Sequence, residues 1–274
     1  MNKVISVIIS TYNSEVWLKK VLWGYQRQTF KDFEMIIADD GSNPTTKALI
    51  DTLNSSSDFD IIHVWQEDNG FQKSQILNKA IESCNTPYIV MSDGDCIPRA
   101  DFLEVHNHHK EKGYFLSGGY FKLPMPISKN ISEDDIKAQR CFDLEWLKKQ
   151  GLRKSFKNLK LKVTGSFVNL MNVLTPTKAT WNGHNASGWK EDIVAINGFD
   201  ERMQYGGQDR ELGERMMNKG VVAKQLRYAA ICVHLDHARG YARPESIAKN
   251  KSIRRTTRTQ KKVVTPFGIK KEIS

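Results

Sequence analysis

Tyr88-Ile89-Val90-Met91-Ser92-Asp93-Gly94-Asp95 runs from a short apolar stretch straight into two carboxylates one residue apart. Four consecutive apolar residues bounded by turn formers read as a buried strand. Carboxylates at a strand's exit can hold a divalent cation, and a cation with open positions can clamp a diphosphate. The spacing alone carries little weight, because a second copy, Asp58-Phe59-Asp60, follows Ser55-Ser56-Ser57 in what reads as a loop. The surroundings have to decide.

Upstream, strand-like runs alternate with helix-like ones. Residues 4–10, 33–38 and 60–65 are predicted as strands, with 88–91 as the fourth. Helices are expected over 15–28, capped by Asn13 or Ser14, over 43–54 with Pro44 in the first turn, and over 72–84. Three consecutive strand–helix units predict the α/β class, a sheet with crossover helices. In such sheets ligands sit beyond the carboxyl ends of the strands. The exits are Ser10-Thr11-Tyr12-Asn13, Asp39-Asp40-Gly41-Ser42, Glu67-Asp68-Asn69-Gly70 and the Asp-Gly-Asp, so polar and acidic groups gather along one edge. Turn chemistry accounts for any one exit and less well for all four.

The second half is less regular. Residues 132–150 are predicted as a helix with Ser132 and Asp135 as its capping box. The basic stretch 148–162 lacks periodicity and reads as a mobile loop. Gly206-Gly207 opens a helix over 208–218, which Gly220 closes. A final strand, 229–235, leads to His234 and His237 and then to a basic, partly helical tail. His106, His108 and His109 lie on a charged segment, 101–112, and are expected on a solvated face.

At 274 residues, with 39% hydrophobic and 26% charged residues, the chain can bury a full core. It contains no run of about eighteen apolar residues that would span a membrane, and its start does not read as a signal peptide. Cys84, Cys96, Cys141 and Cys232 form no C-x-x-C pair, which suits reduced thiols and a cytoplasmic protein. Net charge is +10, and from Lys249 to Lys271 there are nine Lys or Arg residues and no acid. Such a tail can bind anionic lipid, nucleic acid or a polyanionic substrate, or simply be solvated.

In order along the chain stand Val7-Ile8-Ile9-Ser10-Thr11-Tyr12-Asn13, Gln28-Thr29-Phe30-Lys31-Asp32-Phe33-Glu34, Asp39-Asp40-Gly41-Ser42, Asp68-Asn69-Gly70-Phe71 with Asn78-Lys79-Ala80-Ile81, and Asp93-Gly94-Asp95 with Ile97-Pro98. Gly198-Phe199-Asp200-Glu201 and Tyr205-Gly206-Gly207-Gln208-Asp209-Arg210-Glu211-Leu212 complete the series. Together they resemble the inverting family 2 glycosyltransferases, closest in flavour to bacterial polysaccharide galactosyl- and N-acetylgalactosaminyltransferases. The resemblance implies a GT-A (Rossmann-like) mixed sheet flanked by helices over 1–240, with a nucleotide-binding half (1–98), an acceptor-binding half (99–240) and the basic tail (241–274).

The resemblance also implies roles. Asp40 would accept a hydrogen bond from a uracil ring, with Ser10, Thr11 and Tyr12 lining the base pocket. Lys73, Asn78, Asp93 and Gly207 would complete the UDP-sugar site. Asp95 would ligate Mn²⁺ (or Mg²⁺), joined by His237, which fits a pattern with Ala238 and Arg239, and by His234; a mixed carboxylate and imidazole set suits Mn²⁺ better. Asp209, at a helix N-terminus, would be the catalytic base, with Glu211 close by. Trp181, Asn185, Trp189, Tyr205 and Gln208 would meet a glycan or lipid-linked acceptor. Two positions depart from the family's Trp-Gly-Gly-Glu-Asp, Tyr205 for Trp and Gln208 for Glu, and this opens the question of the donor sugar. The tail would hold the protein peripherally on the inner face of an anionic membrane. A sugar nucleotidyltransferase would need a Gly-rich phosphate loop after the first strand, and a nucleic-acid-binding protein would need aromatics interleaved with its basic residues. Neither feature is present: the first exit is Ser10-Thr11-Tyr12-Asn13, and the basic run from Lys249 to Lys271 has only Phe267.

Overall fold

A computed structural model describes residues 3–238 and 242–271. The first half runs β1 (Ile5–Thr11), α1 (Glu15–Gln26), β2 (Phe33–Asp39), α2 (Pro44–Ser56), β3 (Ile61–Trp65), α3 (Lys73–Ser83), β4 (Tyr88–Asp93), β5 (Cys96–Pro98) and α4 (Phe102–His109). It continues with β6 (Tyr114–Lys122), α5 (Met125–Asn130), α6 (Glu133–Lys137), α7 (Leu144–Lys149), α8 (Ser166–Leu174), β7 (Asn185–Trp189), α9 (Lys190–Ala195), α10 (Gln208–Lys219), β8 (Val222–His234) and α11 (Pro244–Thr259). The strands form one eight-stranded mixed sheet in the order β3-β2-β1-β4-β7-β6-β8-β5.

The three units expected from the sequence build the parallel side, β3-β2-β1-β4. Their side chains divide by parity, as the two-residue period of a strand requires. Ile5, Val7 and Ile9 enter one apolar layer with α1, and Ile8 with Ile36 and Ile89 enters the other with α3. Both faces are covered, so these strands read as continuous apolar runs. Asn43 caps α2 by accepting from the amide of Thr45, with Pro44 in the first turn.

The mixed half depends on β7, which lies antiparallel between β4 and β6. The register pairs Ser92 with Asn185 and Tyr88 with Trp189, so β7 begins at the carboxyl edge of β4 and runs away from it. Asn185 is fully buried. Its Nδ2 donates to the carbonyls of Gly119 (2.7 Å) and Ala230 (3.0 Å), and its Oδ1 meets Nε2 of His106 (3.0 Å). His106 Nδ1 meets Ser187 Oγ at 2.7 Å, which in turn bonds Tyr88 Oη at 2.8 Å. The expected solvated position of His106 is therefore corrected: it is fully buried, and burial holds its imidazole neutral, with its pKa down to about 4. The apolar face of α4 turns Phe102, Leu103 and His106 inward together.

The single helix expected over 132–150 is broken. Ser132 and Asp135 do form the capping box, but Gln139 takes a left-handed conformation (φ +57°). Its side chain accepts from the amide of Ala100 and donates to the carbonyl of Ile136. A 3₁₀ turn, Arg140–Phe142, follows, and Asp143 caps α7 by accepting from the amides of Glu145 and Trp146. The stretch expected as a mobile loop ends in another 3₁₀ segment, Phe156–Leu161. The last strand is longer than expected, reaching back to Val222.

The chain beyond Pro244 packs on the body. Asn250 is fully buried and reaches the carbonyls of Gln204, Tyr205 and Gly206. Thr257 Oγ1 donates to Glu211 (2.8 Å), and Arg254 pairs with Glu214 (2.5 Å).

The Asn185 insertion explains a glycine pair. β6 and β8 shift register between Gly118 and Gly119, and a Cβ at Gly118 would lie 2.0 Å from Asn185 Oδ1. Gly118→Ala is expected to lower stability by about 3 kcal/mol, the cost of overpacking a site that cannot retreat. Denaturant unfolding checks it.

Candidate active site

The edge predicted from the strand exits is assembled as a cluster of charges. β1 and β4 pair Ser10 with Asp93, so Ser10 Oγ donates to Asp93 Oδ1 (2.8 Å) while Lys73 Nζ, from the start of α3, donates to the same oxygen (2.6 Å). Burial opposes the charge on Asp93, yet the adjacent ammonium and the serine hydroxyl hold its pKa down to about 2. The mirror argument raises Lys73: desolvation works against its charge, but Asp93, Asp95 and Asp209 outweigh it. The pair is therefore an ion pair at any ordinary pH.

Asp95 faces the end of β8. Its carboxylate lies 2.9 Å from His237 Nε2 and 3.7 Å from His234 Nε2. One ligand atom from each of the three lies within 4.8 Å of the others, and the two imidazoles stack 5.5 Å apart. Both Nδ1 atoms are engaged by backbone, His234 with the carbonyl of Leu235 (2.7 Å) and His237 with that of Ala238 (2.8 Å). A ring that donates from Nδ1 presents the lone pair of Nε2, which is how ligating histidines are oriented. The three residues thus fit a divalent transition metal by donor type, tautomer and spacing. Arg239 lies outside the described residues.

Asp209 occupies the first turn of α10. Gly206 and Gly207 both take positive φ (+112° and +90°), and Gly207 is the N-cap. The Asp209 carboxylate accepts from the amides of Gly183 (3.1 Å) and Arg210 (2.7 Å). A Cβ built on Gly183 would stand 3.8 Å from Asp209 Cβ and 4.0 Å from Lys73 Nζ, so the loop before β7 lies against both Asp209 and the Lys73 ammonium. His184 follows on that loop; burial lowers its pKa to about 4 against the pull of Asp93, Asp209 and Asp95. Tyr120 stands edge-on to His184 and beside His234.

At the other end of the edge, Asp40 accepts from the amide of Gln72 (2.9 Å) and from Gln66 Nε2 (2.7 Å). Burial nonetheless raises its pKa to about 6. The Thr11 hydroxyl and Gln66 Oε1 are buried with no protein partner, the condition of polar atoms awaiting a ligand. Half-exposed Tyr12 is fixed over this corner by donating to Asp68 (2.8 Å).

Several expected contacts are corrected. Trp181 is fully buried against Phe115, and Asn185 is spent inside the sheet, so neither has surface for an acceptor. Trp189 stands at the opposite end of β4 from the acids, its Nε1 donating to the backbone carbonyl of Glu111. Glu211 is buried and holds Arg215 and Thr257. Asn78 accepts from the amide of Phe199 and donates to its carbonyl and to Glu201, clamping the Gly-Phe-Asp-Glu turn rather than lining the edge. Gln208 is buried and accepts from the amide of Gly206. Tyr205 stays beside the site, edge-on to Phe71. Gln66, Gly183, His184 and Tyr120 were not singled out. Gln66 was recoverable as the residue between the third strand and its exit and His184 as the residue preceding Asn185; Tyr120 has no local signal.

The fold agrees with known proteins. Residues 6–159 match the model of glycosyl transferase family 2, and the chain belongs to that family. It is 27% identical over 233 residues to validoxylamine A glucosyltransferase from Streptomyces hygroscopicus subsp. limoneus, covering 80% of this chain and 49% of that one. The chain thus spans about half the length of this curated relative. Among solved structures it resembles S. aureus TarS 1–349 in complex with UDP-GlcNAc, with TM-score 0.59, 15% identity and coverage of 94% of this chain and 69% of that one. It also resembles the mannosyltransferase PcManGT from Pyrobaculum calidifontis in complex with GDP-Man and Mn²⁺, with TM-score 0.60, 16% identity and coverage of 94% and 62%. The sheet is the GT-A fold.

Removing one imidazole from a three-residue set leaves too few ligands to hold a metal well. By calorimetry, His237→Ala is expected to weaken Mn²⁺ binding about 10- to 100-fold, and Asp95→Ala to abolish it. His108→Ala, away from the cluster, should leave it unchanged.

Proposed function

We propose that the protein is an inverting glycosyltransferase that moves a hexose or N-acetylhexosamine from a UDP-sugar to a hydroxyl of a glycan or lipid-linked saccharide in bacterial surface polysaccharide synthesis. The observation that carries this reading is the convergence, on one sheet edge, of a carboxylate at a helix N-terminus, an ammonium–carboxylate pair and a three-residue metal set. The UDP-GlcNAc held by a structural neighbour and the glucosyltransferase name of a relative support the donor class.

Each group has work suited to its surroundings. The ionised Asp40 accepts from the N3–H of uracil, Tyr12 packs on the ring, and the unpartnered hydroxyl of Thr11 supplies a further hydrogen bond. Lys73, fixed by Asp93, lies where a diphosphate's charge would be met. A divalent cation held by Asp95, His234 and His237 would supply positive charge to the departing diphosphate. Asp209, held by two backbone amides, takes the proton from the acceptor hydroxyl as that oxygen attacks the anomeric carbon from the face opposite the leaving group, which inverts it. Tyr205 offers an aromatic face to the acceptor side. The protein works peripherally at the inner face of an anionic membrane, where such acceptors are presented.

Incubation with Mn²⁺ and a panel of nucleotide sugars tests this directly. Free UDP should appear with one or two donors, Asp209→Asn should lower kcat by about 10³-fold, and Asp95→Ala should remove activity. Conversion of a nucleotide sugar and added inorganic diphosphate to UTP and a sugar 1-phosphate, with no free UDP, would identify a nucleotidyltransferase, and full activity in both variants would overturn the site.

The raised pKa of Asp40 gives a pH signature. Its proton competes with the uracil N3–H, so uridine affinity is expected to be flat above about pH 6 and to fall by up to about tenfold per unit below it. Asp40→Asn should bind uridine weakly with no such slope. Uridine carries no phosphate to titrate in that window, so fluorescence or NMR titration reads the protein group alone.

A further inference from the structure

The segment 148–174 carries features that the site does not use. α8 (Ser166–Leu174) has no buried residue, and its Phe167, Leu170, Val173 and Leu174 are 67%, 50%, 82% and 64% exposed. Residues 167, 170 and 174 follow the i, i+3, i+7 rule for one helical face. The opposite face seats the helix: Val168 packs toward the core, and Asn172 accepts from the amide of Tyr228. Phe156, on the neighbouring 3₁₀ segment, is 85% exposed. Large apolar side chains gathered on one exposed segment mark an interaction surface.

Its charge is equally one-sided. From Lys148 to Lys162 there are seven Lys or Arg residues and no acid, and no Asp or Glu occurs before Glu191. Among the described residues only Lys148 of this stretch is in ion-pair contact, with Glu145 at 2.7 Å. Lys148, Lys154 and Lys162 line a groove of about 430 Å³ whose apolar lining comes from Leu144, Phe156 and Leu159. Lysines around an apolar lining match an anionic headgroup above acyl chains. Two copies of so basic a face would repel one another, which argues against a homodimer contact.

The 3₁₀ segment that bears Phe156 also reaches the site through a buried lysine. Lys160 Nζ donates to the carbonyl of Tyr120 (2.8 Å) and sits over its ring, and the same ring stands against His184 and His234.

We propose that this face, made by Phe156, the outer stripe of α8 and the lysines of the groove, docks the protein onto an anionic phospholipid bilayer. The apolar side chains insert at the headgroup boundary while the lysines neutralise lipid phosphate, as interfacial helices do. Its orientation, with the acceptor side of the site toward the bilayer, rests on the proposed lipid-linked acceptor; the docking itself does not.

Flotation of the full chain with vesicles tests it, using phosphatidylcholine alone and phosphatidylcholine with about 30% phosphatidylglycerol. Binding is expected only to the anionic vesicles. It should fall at least about tenfold in Phe167→Ser/Val173→Ser and in Lys154→Glu/Lys162→Glu, and be little changed in Lys249→Ser/Arg255→Ser on α11. All these side chains are on the surface, so thermal melts should match the wild type, and UDP release from donor alone should persist in every variant. No binding to anionic vesicles, or loss confined to the α11 variant, overturns the proposal. Concentration-dependent dimerisation abolished by the α8 substitutions, without vesicle binding, would assign the face to a second copy. Absence of UDP release with vesicle binding retained would remove the glycosyltransferase reading and leave the docking surface standing.

Discussion

The buried carboxamide of Asn185 joins the two halves of this protein. β7 must run antiparallel between β4 and β6 for the loop before it to meet the acids after β4, and Asn185 is the residue that pins it there. Its donors take carbonyls of Gly119 and Ala230, on β6 and β8, and its acceptor takes the neutral ring of His106 on α4. An amide buried without those partners would cost about 1–3 kcal/mol. With them satisfied, the register follows: Gly183 meets Asp209, and β8 ends with His234 beside Asp95. The candidate site's edge is thus assembled by a polar contact outside it.

Within the edge, charge is placed rather than merely accumulated. Asp93, Asp95 and Asp209 would repel one another if left alone, and Lys73 is the cation set among them. Because Lys73 is bound to Asp93, the two carboxylates of the Asp-Gly-Asp have different tasks, one balanced by an ammonium and the other turned toward imidazoles. His184, kept neutral by burial, adds a ring without adding a positive charge. Asp40, farther along, is buried beside amides and carries the raised pKa of a group shielded from water.

The parallel half of the fold was legible because each of its elements is local: an apolar run, a cap and a turn lie within a few residues of each other. The Asp-Gly-Asp, the Gly-Gly before Asp209 and the two histidines were legible for the same reason, since a motif carries its own backbone geometry. The readings that failed concern burial decided by distant chain. His106 sits among charged residues in sequence, yet its side chain is called inward by Ser187 and Asn185, some eighty positions away. Asn185 and Trp181 look like sugar contacts in a polar, aromatic segment, and only the bulge between Gly118 and Gly119 and the ring of Phe115 show where they go. Gln139 breaks a helix through a left-handed backbone that a glutamine does not announce.

The two basic stretches make the same point about charge. Both hold a run of Lys and Arg free of acids, and composition cannot tell them apart. In the C-terminal stretch, Arg254 and Arg258 turn to Glu214, and Thr257 anchors on Glu211, while Asn250 beneath them holds the backbone that presents Asp209. Its apparent surplus of charge is partly neutralised by Glu214 of α10, and the helix serves as a brace for the loop before Asp209. Among the described residues the stretch from Lys148 to Lys162 has almost no such acids in reach, and the helix that follows it in sequence leaves its outer apolar stripe exposed. A run of basic residues therefore becomes a binding surface where the fold leaves it uncompensated and gives it apolar neighbours, and it becomes internal structure where the fold supplies carboxylates.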